Sequence, residues 1–268
     1  MAAARRSWAA VAAGVALAAA AWLGGPVAVA APAAGPVPTA PGVHPGVQTR
    51  TAGAQCTANF VFTDGAHTYL GQAAHCSGTG SSTDVDGCTA GSLPLGTPVE
   101  VAGASRSGTL AYNSWLAMQA DDEADPDACA YNDFALVRLD PADARLVSPA
   151  VPVFGGPRGV DTDGVRPGEV VRSYGNSELR GGVTLLSPKV GTVLGSRGGG
   201  WSHDVVTATP GVPGDSGSAY LSPDGSALGV LSTLQFAPLP ASNGVSDLAR
   251  MLDYARAHGM GGVRLVSG

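Results

Sequence analysis

Tyr131-Asn132-Asp133-Phe134-Ala135-Leu136-Val137-Arg138-Leu139 is the most strand-like stretch of the sequence, and it stops at Asp140-Pro141. A short apolar run bounded by turn residues reads as a buried strand. It is entered through an acid. A carboxylate set immediately before a strongly apolar strand is drawn towards the interior, where it needs a partner, and a histidine N–H is one natural choice. Asp133 is therefore a candidate functional residue, against the plainer reading of an exposed acid that starts a strand.

Runs of the same kind recur along the chain. Asn59-Phe60-Val61-Phe62 leads into the turn Thr63-Asp64-Gly65, and Glu169–Tyr174, Thr192–Leu194, Asp204–Thr207 and Ala227–Leu231 look like further strands. With 39 glycines and 20 prolines among 268 residues, and only 13% charged residues, many short strands suggest a barrel or sandwich. One helix stands apart. Val245, Leu248, Ala249, Leu252 and Ala255 or Arg256 recur at helical spacing over about 246–258, with Ser246 as an N-cap and Gly259 as a stop. The Pro- and Gly-containing segment from Pro141 to about Val165 reads as the connection between two halves.

The first thirty residues do not belong to this pattern. Arg5 and Arg6, an apolar run from Trp8 to about Leu23, and Ala28-Val29-Ala30 together describe a secretory signal peptide over 1–30. The Pro-, Ala- and Gly-rich residues 31–50 read as a linker or short propeptide. A globular unit over 51–268 remains. Acids outnumber bases by 21 to 15, and without Arg5 and Arg6 the thirteen remaining bases leave a net charge of −8. That balance argues against a nucleic-acid partner, whose phosphates demand clustered Lys and Arg. No later stretch is long and apolar enough to span a membrane. Behind a secretory signal, Cys56, Cys76, Cys88 and Cys129 suggest two disulfides, with three pairings open. No Cys-x-x-Cys appears, so zinc is not expected, and nothing implies an organic cofactor.

Two further segments carry chemistry. Gly211-Val212-Pro213-Gly214-Asp215-Ser216-Gly217-Ser218 places a serine between glycines, where the backbone can turn sharply and N–H groups can converge. Taken alone it could be a plain surface turn. Gly71-Gln72-Ala73-Ala74-His75-Cys76 places a histidine after an apolar stretch and before a cysteine that can anchor its loop. His44, His67, His203 and His258 have no comparable context. Acyl transfer by serine needs a hydroxyl, a base to take its proton and donors for the developing oxyanion.

The order His75, Asp133, Ser216, each in its own motif, resembles the three signature segments of trypsin-like serine proteases, above all bacterial secreted members. The resemblance runs from about Cys56 to the C-terminal helix. It implies an all-β fold of two packed six-stranded antiparallel β-barrels with a C-terminal α-helix, the first barrel over about 51–145 and the second over about 160–245. It implies a catalytic triad of His75, Asp133 and Ser216, an oxyanion hole of the Gly214 and Ser216 N–H groups, and a Cys56–Cys76 disulfide. That leaves Cys88 with Cys129. The implied protein is a secreted, extracellular, monomeric endopeptidase acting on protein or peptide substrates, with no membrane association after signal cleavage.

The sequence also departs from the family. Ser218 stands where the motif usually continues with glycine. Pro210 stands where members that cut after Lys or Arg carry an acid, so strict trypsin-like specificity is not expected. Leu231-Ser232-Thr233-Leu234 matches the substrate-pairing strand, with Leu234 in place of a glycine. Pro210, Ser232, Thr233 and Leu234 are therefore the expected substrate-binding residues, for small or medium apolar side chains before the cleaved bond. No Ile-Val-Gly-Gly start exists to supply an ammonium for Asp215, which is expected to have an internal partner. The rival from another class is a catalytically silent binding protein on the same fold, its pocket closed by Leu234. An esterase elbow is disfavoured because its residues run Ser, acid, His.

Overall fold

The computed structural model describes residues 42–81 and 84–268. The signal peptide expected over 1–30, and the expected linker up to residue 41, lie outside the described residues. The strands in chain order are β1 (Gln48–Thr51), β2 (Ala54–Thr57), β3 (Val61–Thr63), β4 (Thr68–Gln72), β5 (Pro98–Val101), β6 (Gly108–Asn113), β7 (Ala135–Arg138), β8 (Val170–Tyr174), β9 (Pro188–Arg197), β10 (Ser202–Thr207), β11 (Ala219–Leu221), β12 (Ala227–Gln235), β13 (Ser242–Asp247) and β14 (Arg264–Leu265). They form two antiparallel systems. One is a sheet in the order β14-β3-β4-β7-β6-β5-β1-β2, and the other a closed six-stranded barrel in the order β10-β13-β12-β11-β8-β9.

The apolar run after Asp133 explains the centre of the first sheet. Ala135, Leu136 and Val137 are all fully buried, because β7 is paired on both edges, with β4 and β6, and covered on both faces. One face meets Val43, Leu70, Val99 and Leu110; the other meets Phe62, Tyr112, Trp115 and Met118. Phe134 stands edge-on to Phe62 with ring centres 5.4 Å apart. The barrel is filled by Val171, Val193, Val205, Tyr220, Leu228 and Val245, one from each of its six strands.

The first system has eight strands, two more than the resemblance implies. One addition is β14, which pairs with β3 and comes from the far end of the chain. The other end of the sheet draws on the expected linker. Residues 42–50 are built into the fold: Val43 and Val47 enter the core, and β1 buries Thr49 and Thr51 while Gln48 and Arg50 stay partly exposed. The period of two was present in Gln48-Thr49-Arg50-Thr51, but its inward residues are threonines, so it carried no hydrophobic signal.

The C-terminal helix is present as α4 (Leu248–Ala257), and its Leu248, Met251, Leu252 and Ala255 are buried in the first core. Its N-cap is Asp247, whose side chain accepts from Arg250 N–H, and not Ser246. Three further helices correct the expectation of a single one. They are α1 (Ser114–Ala120), α2 (Pro126–Tyr131) and α3 (Pro141–Ala144). Each has a side-chain cap, from Asn113, Asp125 and Asp140 in turn, and α2 and α3 start with proline. Asp125-Pro126 and Asp140-Pro141 are N-cap–N1 pairs, a helix start that a strand-rich context disguised as a turn.

Candidate active site

His75 and Ser216 line one cleft between the two strand systems, and Asp133 is hydrogen-bonded to His75. His75 lies in the short 3₁₀ turn Ala74–Ser77 just after β4, Asp133 lies two residues before β7, and Ser216 lies in the β10–β11 connection. His75 and Ser216 both line a cavity of about 590 Å³, with the Cys56–Cys76 sulfurs' residues at one side and Ser232, Thr233 and Leu234 at another. Both disulfides are formed, Cys56 with Cys76 and Cys88 with Cys129.

Asp133 holds His75 twice. Its Oδ1 accepts the His75 backbone N–H at 2.9 Å, and its Oδ2 accepts the ring Nδ1–H at 2.7 Å. That leaves Nε2 as the basic nitrogen. Ser232 Oγ–H donates to the same Oδ2 at 2.6 Å, so a carboxylate only 4% exposed is satisfied by three donors. Burial disfavours the Asp133 charge, but the His75 charge and hydrogen bond, with the Ser232 donor, outweigh it and lower its pKa. Burial likewise opposes the imidazolium, and the Asp133 charge and hydrogen bond raise the His75 pKa above its ordinary value.

The turn before Ser216 is fixed from both systems. The Gly214 carbonyl accepts from Thr57 Oγ–H at 2.8 Å and from Gln55 Nε2 at 3.0 Å, and the Ser216 carbonyl accepts from Thr57 N–H at 2.8 Å. Gly214 (φ +92°) and Gly217 (φ +87°) lie in the left-handed region, and both are hemmed in. A Cβ would fall 2.2 Å from Gln55 Oε1 in the first case and 2.5 Å from the Thr57 carbonyl in the second. Among the described residues, the N–H groups of Gly214 and Ser216 have no protein acceptor. Ser218, in place of the usual glycine, is fully buried and donates its hydroxyl to the Asp215 carbonyl, so it braces the turn from within.

Asp215 has the internal partner that the missing N-terminal ammonium called for, and in fact two. Its Oδ2 pairs with Arg180 Nη2 and, at 3.0 Å, with Lys189 Nζ, while Ser177 N–H donates to Oδ1 at 3.0 Å. Lys189 is fully buried. Burial lowers its pKa, opposed by Asp215 and reinforced by the neighbouring Arg180 charge.

Of the four residues expected to bind substrate, Ser232, Thr233 and Leu234 line the cleft, Leu234 at its exposed rim. Pro210 is not among the lining residues; its carbonyl turns away to Arg180 Nη2 at 2.9 Å and Lys189 Nζ at 3.4 Å. The neighbouring Gly211 lines the cleft in its place. Gln55, Thr57, Ser177, Arg180, Lys189 and Asn243 were not identified from sequence. None sits in a motif, and each acts on the serine turn or the cleft from a distant part of the chain, which local patterns do not reveal.

A second Ser–His–acid chain lies on the barrel. Ser196 Oγ is 2.9 Å from His203 Nδ1, and His203 Nε2 is 3.0 Å from Asp247 Oδ2. His203 is buried, Asp247 also caps α4, and none of the three lines the cleft. It ties β9 and β10 to the start of the helix.

No protein-family model and no curated protein matches the sequence. Solved structures do match. Thermobifida fusca protease A is 20% identical with a TM-score of 0.55, over 85% of this chain and all of that one. A Cellulomonas bogoriensis chymotrypsin is 18% identical with a TM-score of 0.52, over 84% of this chain and 99% of that one. A Nocardiopsis protease is 18% identical with a TM-score of 0.51, over 83% of this chain and 98% of that one. The fold is thus the two-barrel, chymotrypsin-like fold of bacterial serine proteases.

Proposed function

We propose that this chain is a secreted serine endopeptidase that cleaves protein or peptide substrates through His75, Asp133 and Ser216. The observation that carries the reading is the Asp133–His75 hydrogen bond at 2.7 Å, in a cleft that Ser216 also lines. The likeness of fold to bacterial proteases supports it. Secretion is supported by the sequence of residues 1–30 and by the two disulfides, and we take the mature enzyme to be an extracellular monomer. No helix among the described residues is long and apolar enough to cross a membrane.

The chemistry follows the Ser-His-Asp template of chymotrypsin-type enzymes. His75 Nε2 takes the Ser216 proton as Oγ bonds to the scissile carbonyl carbon, and the carbonyl oxygen becomes an oxyanion that accepts from the Gly214 and Ser216 N–H groups. The imidazolium hands its proton to the leaving nitrogen as the C–N bond breaks, and water then releases the acyl group by the same steps. Asp133 holds the ring and balances its charge. Ser232, through Asp133, is a positioning residue. The Arg180–Asp215–Lys189 cluster stands in for a zymogen's N-terminal ammonium, so activation by N-terminal ion pairing is not required. A silent binding protein would need a closed cleft, whereas Leu234 sits at an exposed rim.

Hydrolysis of a peptide ester series tests the reading. Ser216→Ala and His75→Ala are each expected to lower kcat/KM at least about a thousandfold with an unchanged circular-dichroism spectrum. Near-normal hydrolysis by either variant would refute the assignment.

A further inference from the structure

We propose that Asn243 sets the depth of the pocket receiving the side chain before the scissile bond, and that this side chain is small, alanine in preference to leucine or phenylalanine. The inference rests on the protease reading. Asn243, on β13 opposite Leu234 of β12, is fully buried yet lines the cleft. Its Oδ1 accepts from Gly211 N–H at 2.9 Å, and its Nδ2 donates to the Gly211 carbonyl at 3.3 Å and the Thr233 carbonyl at 3.2 Å.

Those three bonds join the two walls of the cleft beyond Ser216. One wall is the segment leading to the serine turn, and the other is β12, the strand matched to substrate pairing. The two walls touch at this point: a Cβ on Gly211 would fall 2.9 Å from both amide atoms of Asn243 and 2.4 Å from Leu231 Cδ1. A substrate side chain entering past Ser216 therefore meets the Asn243 amide as a floor. Enlarging the substrate beyond that floor would force the clamp apart.

The same bonds limit the chemistry. Both amide hydrogens of Asn243 are given to backbone carbonyls, so the floor has no donor to offer a carboxylate. Arg180 and Lys189 lie behind it but are turned to Asp215 and the Pro210 carbonyl, and neither lines the cleft. No acid stands among Gly211, Leu231, Thr233 and Asn243 to receive a basic side chain. A small neutral residue is what remains.

The test is kcat/KM over peptide p-nitroanilides that differ only in the last residue, Ala, Leu, Phe, Glu or Lys. Wild type is expected to favour Ala over Leu and Phe by at least about tenfold, and Asn243→Ala to raise the Leu-to-Ala ratio at least about tenfold. Leu234→Ala, at the rim, is expected to change the Leu-to-Ala ratio less than Asn243→Ala does. A wild type that cleaves after Leu or Phe as well as after Ala overturns the inference while leaving the protease reading intact. So does a preference that moves with Leu234→Ala and not with Asn243→Ala. Should Asn243→Ala fail to fold, Asn243→Ser supplies the comparison. A folded wild type that cleaves nothing in the series overturns both.

Discussion

The two oxygens of Asp133 accept three hydrogen bonds, two from one histidine and one from Ser232. The consequence is a coupled shift: the acid's pKa is lowered and that of the base raised. In the proposed mechanism His75 accepts the Ser216 proton only when neutral, so kcat/KM should fall as pH drops through a value above the ordinary histidine pKa of about 6.5. For stability the signs are opposite. The raised His75 contribution is full below the unfolded histidine value and fades as pH climbs through the folded one, while the lowered Asp133 contribution fades as pH falls through its folded value. Asp133→Asn should cut turnover by about 10⁴, as in the chymotrypsin-type template. It should also move the His75 titration midpoint down, read by NMR in a Ser216→Ala background. An unmoved midpoint would mean that Asp133 does not set the base.

The short turn carrying His75 is packed through Ala74, Cys76 and Ser77 and is tied to β2 by the Cys76–Cys56 bridge. The bridge closes a loop of 20 residues. Replacing both cysteines by alanine should cost about 3 kcal/mol in urea unfolding. It should lower kcat/KM as well, since the tether holds the base. A loss of stability with full activity would show that the Asp133 contacts alone place the ring. Elements also mark how far local sequence reading reaches. Phe134–Leu139 and the α4 stripe were legible because apolar periodicity is strong there, with errors only at the caps. β1 was not, since its buried positions are Thr49 and Thr51, and α2 and α3 hid behind Asp-Pro pairs that also mark turns.

Over the whole molecule, what escaped the sequence is what topology supplies. β14 closes the first sheet's edge on β3, from the opposite end of the described chain. Gln55 and Thr57 from the first system fix the Gly214 carbonyl in the second, and Arg180 and Lys189 converge on Asp215 from separate elements. The three residues of the proposed triad stood out because each sits in a compact motif; the fold sets His75 and Ser216 in one cleft and bonds Asp133 to His75. The barrel's second chain, Ser196–His203–Asp247, offers an internal comparison: the same three residue types, none of them lining the cleft. The most direct measurement is therefore fluorophosphonate labelling of the folded, disulfide-bonded protein, with the adduct located by peptide mass spectrometry. A single adduct on Ser216, absent from Ser216→Ala and with Ser196 unmodified, is the expected result; an unlabelled Ser216, or an adduct on Ser196 instead, would contradict the assignment of the active site.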